Sequence, residues 1–196
     1  MQIDENIKSF GKQNKVPISL DDTLCFLCKT IMEENSKQIL EIGTAIGFSS
    51  ITMADNTPCQ HIDTLEIDAD RYQEAKKNIA SHNLQDKITP YLIDAIDYLK
   101  TCKKTYNLIY LDGPKGQYIN YLPYLINILE PNGIIIADNL FFHGMVTGKI
   151  PITKGCRAMI KGLKNYINAI QNHPNLVSRI LDIGDGLGIS RKKEQQ

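Results

Sequence analysis

The chain has no apolar run of the ~18 residues that a membrane helix requires. Its start, Met1-Gln-Ile-Asp-Glu, lacks the basic-then-apolar pattern of a secretory leader, so a cytoplasmic location is expected. Cysteines are few and odd in number: Cys25, Cys28, Cys59, Cys102 and Cys156. One C-x-x-C occurs, Cys25 to Cys28, with no second to complete a zinc site. It lies in Leu20–Met32, where apolar residues recur on one helical face, so both thiols are expected to be buried and reduced. Internal repeats, low-complexity tracts and linker-like stretches are also missing. With 196 residues, 42% of them apolar, the chain 1–196 reads as one domain with a substantial core.

Acidic residues are absent between Asp138 and Asp182, although the whole chain is neutral, with 22 acidic and 22 basic residues. That interval holds Lys149, Lys154, Arg157, Lys161, Lys164 and Arg179, with His143 and His173. A local excess of this kind is a footprint for an anionic partner, or a solvated helix face balanced by acids elsewhere in the fold.

Short apolar runs alternate with amphipathic runs of helix length. Strands are expected at Gln38–Gly43, His61–Ile67, Ile88–Ile93, Tyr106–Asp112 and Gly133–Asp138. Helices are expected between them at Phe48–Ala54, Ala69–Ser81, Ala95–Cys102 and Ile119–Leu129. That rhythm predicts an α/β fold with a mainly parallel sheet covered by helices on both faces. Two helices precede the first strand, the second with a capping-box-like start at Ser19-Leu-Asp-Asp22. A helix from about Thr153 to Gln171 follows the acid-free stretch. Then two runs, Leu176–Ile183 and Gly186–Arg191, split by Gly184-Asp-Gly, read as a closing antiparallel hairpin.

The chemistry concentrates at strand ends. Asp112 closes the run Tyr106–Leu111, and Asp138 with Asn139 closes Gly133–Ala137. Adjacent parallel strands ending together would converge three hard oxygens on one point, which suits Mg²⁺ or a similar cation. Lys115 stands three residues beyond Asp112, as a catalytic lysine or as a surface lysine in a turn. Upstream, Gly43-Thr-Ala-Ile-Gly47 is a G-x-x-x-G loop and not the G-x-G-x-x-G of a dehydrogenase. Glu41, just before it, would repel a pyrophosphate and attract a cationic amino-acid group, which favours S-adenosylmethionine. Glu66 ends the second strand, where a carboxylate receives ribose hydroxyls, and Asp94 with Ala95 would frame the adenine. Each acid alone reads equally as a turn or cap residue.

These residues resemble the metal-dependent class I O-methyltransferases, the group of catechol and caffeoyl-CoA O-methyltransferases, from about Val16 to Ser190. The carriers are Leu40-Glu-Ile-Gly-Thr-Ala-Ile-Gly-Phe-Ser, Leu65-Glu-Ile-Asp, Asp112-Gly-Pro-Lys115 and Asp138-Asn139. The resemblance implies the Rossmann-like methyltransferase fold of seven strands with a C-terminal antiparallel hairpin. It makes Asp112, Asp138 and Asn139 metal ligands, and Lys115 with Asp112 the catalytic pair. It places Val16, Glu41, Gly43, Thr44, Ser49, Glu66, Asp94, Ala95, Asp112 and Tyr121 around S-adenosylmethionine. It also implies a homodimer with the N-terminal helices, residues 1–36, as its substrate or dimer region. Pro114 is a departure, since plant-type members often carry an acid there.

Within the family, Asp112-Gly-Pro-Lys-Gly-Gln-Tyr118, Asp138-Asn-Leu-Phe-Phe-His-Gly-Met-Val146 and Gly184-Asp-Gly-Leu-Gly-Ile-Ser190 look like the bacterial tRNA 5-hydroxyuridine methyltransferases. That resemblance implies methylation of the wobble uridine to 5-methoxyuridine. 5-Hydroxyuridine and catechol each present two neighbouring oxygens to a metal, so one site would serve either. Lys115 beside a cation would take the hydroxyl proton, because a neighbouring positive charge depresses a lysine pKa. Lys149, Lys154, Arg157, Lys161 and Lys164 are then the expected contacts to an anticodon stem-loop. Met159, Ile160, Leu163, Tyr166, Ile167 and Ile170 fall on the other face, toward the sheet. Phe141, Phe142 and His143 read either as a stacking platform for a base or as core. The alternatives are a small catechol-like or caffeoyl-CoA-like substrate, an RNA-binding protein on a vestigial cofactor fold, and a dehydrogenase disfavoured by its loop.

Overall fold

The structure is a computed structural model that describes residues 1–194. The chain divides into two compact units, Met1–Tyr98 and Leu99–Gln196. No helix among the described residues is long and apolar enough to cross a membrane.

The first unit holds α1 (Glu5–Gln13), α2 (Asp21–Glu33), β1 (Gln38–Ile42), α3 (Phe48–Asn56), β2 (His61–Glu66), α4 (Ala69–Ser81) and β3 (Ile88–Leu92). The unit boundary falls within α5 (Ala95–Thr101). Its strands lie in the order β3-β2-β1, all parallel, with Ile39 opposite Ile62 and Ile62 opposite Ile88. Past their first residues β1 and β2 are wholly buried, as strands covered on both faces must be. Short acids start two of the helices. Asp4 accepts from the N–H groups of Asn6 and Ile7, and Asp68 from those of Asp70 and Arg71. The expected capping box on α2 does not form: Leu20 holds the cap position, with no side-chain bond there. The acids Asp21 and Asp22 occupy the first turn instead, where they oppose the helix dipole.

All five cysteines are free thiols. Cys28 is buried on the α2 face formed by Leu24, Leu27 and Ile31, and desolvation pushes its thiol up to about 12. Cys25, expected to be buried, is exposed. It lies one step off the buried face of α2.

The second unit holds β4 (Tyr106–Leu111), α6 (Tyr118–Ile128), β5 (Leu129–Ala137), α7 (Arg157–Asn172), β6 (Leu176–Leu181) and β7 (Leu187–Lys192). Strand order is β4-β5-β7-β6; β4 and β5 are parallel, and β7 runs antiparallel to both its neighbours. The seven strands expected from the sequence are thus all formed and mainly parallel, with the terminal hairpin in place. β5 begins earlier than expected, at Leu129. Its register on β4 shifts after the Tyr106–Leu129 pair and resumes at Leu108–Ile134, which accommodates Pro131 and Asn132. The helix expected from Thr153 starts as a 3₁₀ turn, Lys154–Cys156, before α7. α7 packs on α6, on β6 and on the 3₁₀ turn Lys115–Gln117. Ile160, Leu163, Tyr166 and Ile170 are its buried apolar face; Met159 and Ile167 are only half-buried.

Candidate active site

In the first unit the glycine loop leaves β1 and enters α3 through three left-handed residues, Gly43 (φ 109°), Ala45 (φ 47°) and Gly47 (φ 83°). The N–H groups of Gly43 and Thr44 both donate to the Leu65 carbonyl at 3.0 Å. The two acids assigned to the cofactor are built into this loop. The Glu66 carboxylate accepts from the Ala45 N–H at 2.8 Å, and from the N–H groups of Ile67 and Asp68 at 2.9 Å. About one of its four lone-pair directions remains for another donor. Glu41 is fully buried. The Ser49 hydroxyl donates to one of its oxygens, and the Thr64 hydroxyl to the other at 2.5 Å. Thr44 joins through a 2.6 Å contact with the Thr64 hydroxyl. Glu41, Thr44, Ser49 and Thr64 thus form one buried cluster beneath the loop. Asp94 caps α5, accepting from the Ile96 N–H at 2.9 Å, and Ala95 is buried beside it. Ile93 donates its N–H to the Glu66 carbonyl at 2.8 Å, which ties the ends of β3 and β2 together. Val16 lies half-buried in the connection from α1 to α2, its N–H on the Gly11 carbonyl.

In the second unit Asp112 and Asp138 stand one residue past the paired ends of β4 and β5, Leu111 and Ala137. The Asp138 N–H donates to the Leu111 carbonyl at 3.0 Å. The Tyr110 hydroxyl donates to Asp138 Oδ2 at 3.1 Å and lies 3.5 Å from Asp112 Oδ2. Asp138 is buried, and desolvation together with the charge of Asp112 raises its pKa to about 7. Lys115, from the 3₁₀ turn, donates to Asp112 Oδ1 at 2.8 Å. Asn139 takes φ 59°, and nothing among the described residues pairs with its side-chain amide. Tyr121 is buried on α6.

The carboxylates of Asp112 and Asp138, both within reach of the Tyr110 hydroxyl, and the amide of Asn139, next in sequence, match a hard cation in donor chemistry. No three His, Cys, Asp or Glu side chains among the described residues group into a metal site. The set here is two carboxylates and one amide.

A model of the O-methyltransferase family matches residues 4–193. The chain belongs to that family. It is similar to a Staphylococcus aureus protein solved as a candidate caffeoyl-CoA O-methyltransferase, at 31% identity over 96% of this chain and 91% of that one, with a TM-score of 0.89. It is 29% identical to the caffeoyl-CoA O-methyltransferase of Citrus natsudaidai, over 85% of this chain and 76% of the relative. An O-methyltransferase from Bacillus cereus, solved in complex with SAH, shares the fold at a TM-score of 0.84 and 22% identity, over 96% of this chain and 90% of that one.

This O-methyltransferase carries supports that the motifs alone do not reveal. Tyr118, buried at the start of α6, donates its hydroxyl to the Leu111 carbonyl at 3.0 Å and so pins the end of β4. Desolvation, reinforced by the charges of Asp112 and Asp138, keeps that phenol protonated. Gly162 lets α7 close on the lysine turn: a Cβ there would lie 2.9 Å from the Gly116 carbonyl oxygen. A tyrosine and a glycine at these positions were visible in the sequence. Their contacts span 7 and 46 residues, and no local pattern predicts them. The basic residues Lys149, Lys154, Arg157, Lys161 and Lys164 are all exposed.

Proposed function

We propose that this O-methyltransferase transfers a methyl group from S-adenosylmethionine to one of two neighbouring oxygens on a planar ring, with a divalent cation, Mg²⁺ or a similar ion, bound by Asp112, Asp138 and Asn139. The observation that carries the proposal is the pair of buried Asp138 and half-buried Asp112, with Lys115 at 2.8 Å from Asp112. A catechol or caffeoyl-CoA-like substrate is the leading reading, because the similar proteins carry those names. The SAH complex of the Bacillus cereus protein supports the methyl donor.

The chain's own residues divide the work. Glu66 holds the glycine loop open through Ala45 and keeps one direction for a ribose hydroxyl. Glu41 and Ser49 place a buried negative charge under the amino-acid end of the donor. A bound cation would fix the substrate's two oxygens and lower the pKa of the hydroxyl. Tyr110 orients the Asp138 carboxylate, and Lys115 is placed to take the hydroxyl proton. The new bond joins oxygen to the methyl carbon. The carbon–sulfur bond breaks, leaving S-adenosylhomocysteine, and the proton leaves with Lys115.

The exposed basic stripe Lys154, Arg157, Lys161 and Lys164 favours a second reading, the wobble 5-hydroxyuridine of a tRNA, with Phe141, Phe142 and His143 stacking on the base. A direct competition decides. The purified protein, methyl-labelled S-adenosylmethionine and Mg²⁺ are incubated with caffeoyl-CoA, with simple catechols, and with tRNA containing 5-hydroxyuridine. Label in the small molecules, lost on adding EDTA, supports the leading reading. Label in tRNA alone, recovered as 5-methoxyuridine, replaces it with the second. Label in neither removes both.

A further inference from the structure

The segment that follows the proposed metal ligands lies on the turn between β6 and β7. Leu140 donates its N–H to the Gly186 carbonyl at 2.9 Å, and Phe141 donates to the Asp185 carbonyl at 2.8 Å. The Asp185 carboxylate then accepts the His143 N–H with both oxygens at 2.9 Å. One residue, 42 positions away in sequence, thus takes two N–H groups of this segment. Two glycines permit the approach. Gly186 has φ +89°, and a Cβ on it would lie 2.6 Å from the Phe141 ring. A Cβ at Gly188 would run into Leu140.

The segment needs such a hold. Asn139, Phe142 and His143 have φ of 59°, 42° and 53°. Bulky L-residues rarely stay in this region unless their surroundings determine it. A carboxylate on a backbone N–H is a charge-assisted bond; Asp138 makes one to Asn139 at the start of the loop, and Asp185 makes one to His143 farther along. The rings it holds are accessible: Phe142 is half-buried, His143 is exposed, and their centroids are 5.2 Å apart.

We infer that Asp185 is a positioning residue: through the His143 N–H it holds the Phe142–His143 ring pair where the two rings receive the flat face of a ring substrate. The inference deepens the reading of Asp112, Asp138 and Asn139 as the substrate's metal site and rests on it.

The chain contains no tryptophan, so Phe142→Trp places a single indole in this loop. In that background Asp185→Ala is expected to at least double acrylamide quenching of the indole, and Asp185→Asn, which keeps one acceptor oxygen, to restore most of the protection. With the natural Phe142, Asp185→Ala should raise KM for the ring substrate about tenfold while changing kcat less. Calorimetric affinity for S-adenosylmethionine and the melting temperature should stay within error of the parent. Unchanged quenching and KM in Asp185→Ala would overturn the inference. Equal losses of cofactor affinity and melting temperature would also overturn it, by making Asp185 a general structural residue. If the parent methylates no ring substrate, the proposed reaction fails, and the quenching comparison still decides whether Asp185 holds the loop.

Discussion

Glu41 and Glu66 in the first unit and Asp112 and Asp138 in the second all stand at or just past the ends of parallel strands, yet their charges are answered differently. The two glutamates are met by hydroxyl and backbone donors: Ser49 and Thr64 on one, three backbone N–H groups on the other. The two aspartates lie within reach of one tyrosine hydroxyl, with Lys115 on Asp112 and the Asn139 N–H on Asp138, and burial together with the charge of Asp112 raises the Asp138 pKa to about 7. In the first arrangement Glu41 is enclosed by hydroxyls, and Glu66 is tied to the loop while keeping about one lone-pair direction. In the second, two carboxylates share the reach of one tyrosine hydroxyl, and burial with the neighbouring charge raises the proton affinity of Asp138.

The largest effect should come from removing an acid of the aspartate pair. Asp138→Ala is expected to abolish turnover while S-adenosylmethionine affinity, read by calorimetry, stays near the parent's. Loss of affinity as large as in Glu66→Ala would erase the distinction between the two regions. Next, Lys115→Met should slow methyl transfer by roughly 10²- to 10⁴-fold with little change in substrate binding. Single-turnover rates across pH would show it, and a normal rate at neutral pH would remove Lys115 from the proton path.

Gly162→Ala tests whether α7 sets the lysine turn. The new Cβ at 2.9 Å from the Gly116 carbonyl forces backbone apart, so the change should cost about 1–3 kcal/mol of stability by denaturant titration and lower kcat. Cofactor affinity should not move.

A smaller effect concerns pH. The Asp138 pKa lies above its unfolded value of 3.8, so between about pH 4 and 7 the folded state holds a proton that the unfolded state has lost. That contribution to stability is complete below pH 4 and disappears as pH rises through 7. In EDTA the melting temperature should therefore fall toward pH 8 more steeply than in Asp138→Asn, and Mg²⁺ should raise it more at pH 8 than at pH 5.5. Equal Mg²⁺ shifts at both pH values would deny the aspartate pair its special place.

Much of this was readable in one dimension. Apolar strand runs ending on Glu66, Asp112 and Asp138 carry their positions with them, because a parallel strand buried on both faces needs an uninterrupted apolar stretch and can change character only at its end. The glycines of the loop announced a left-handed turn, and Gly184-Asp-Gly announced a hairpin, for reasons confined to a few residues. The alternation of apolar and polar residues on α7 likewise determined which face would be buried.

What the chain order could not disclose was which groups would answer which. Ser49 and Thr64 meet on Glu41, Gly162 meets Gly116, and Asp185 meets His143 only after strands 20 to 50 residues apart have paired. Local propensity does distinguish a turn glycine from a helical one. It does not distinguish Gly162, which a neighbouring carbonyl requires, from a glycine that merely weakens a helix. Cys25 was misread as buried for a similar reason, since one step around α2 separates core from solvent and the neighbours decide where the edge falls. The amino-acid sequence by itself determined the elements, the loop and the acids at the strand ends. Only the tertiary structure decided which donors meet each acid, hydroxyls on Glu41, backbone N–H groups on Glu66, Lys115 on Asp112 and Tyr110 on Asp138, because most of those donors are brought from elsewhere in the chain.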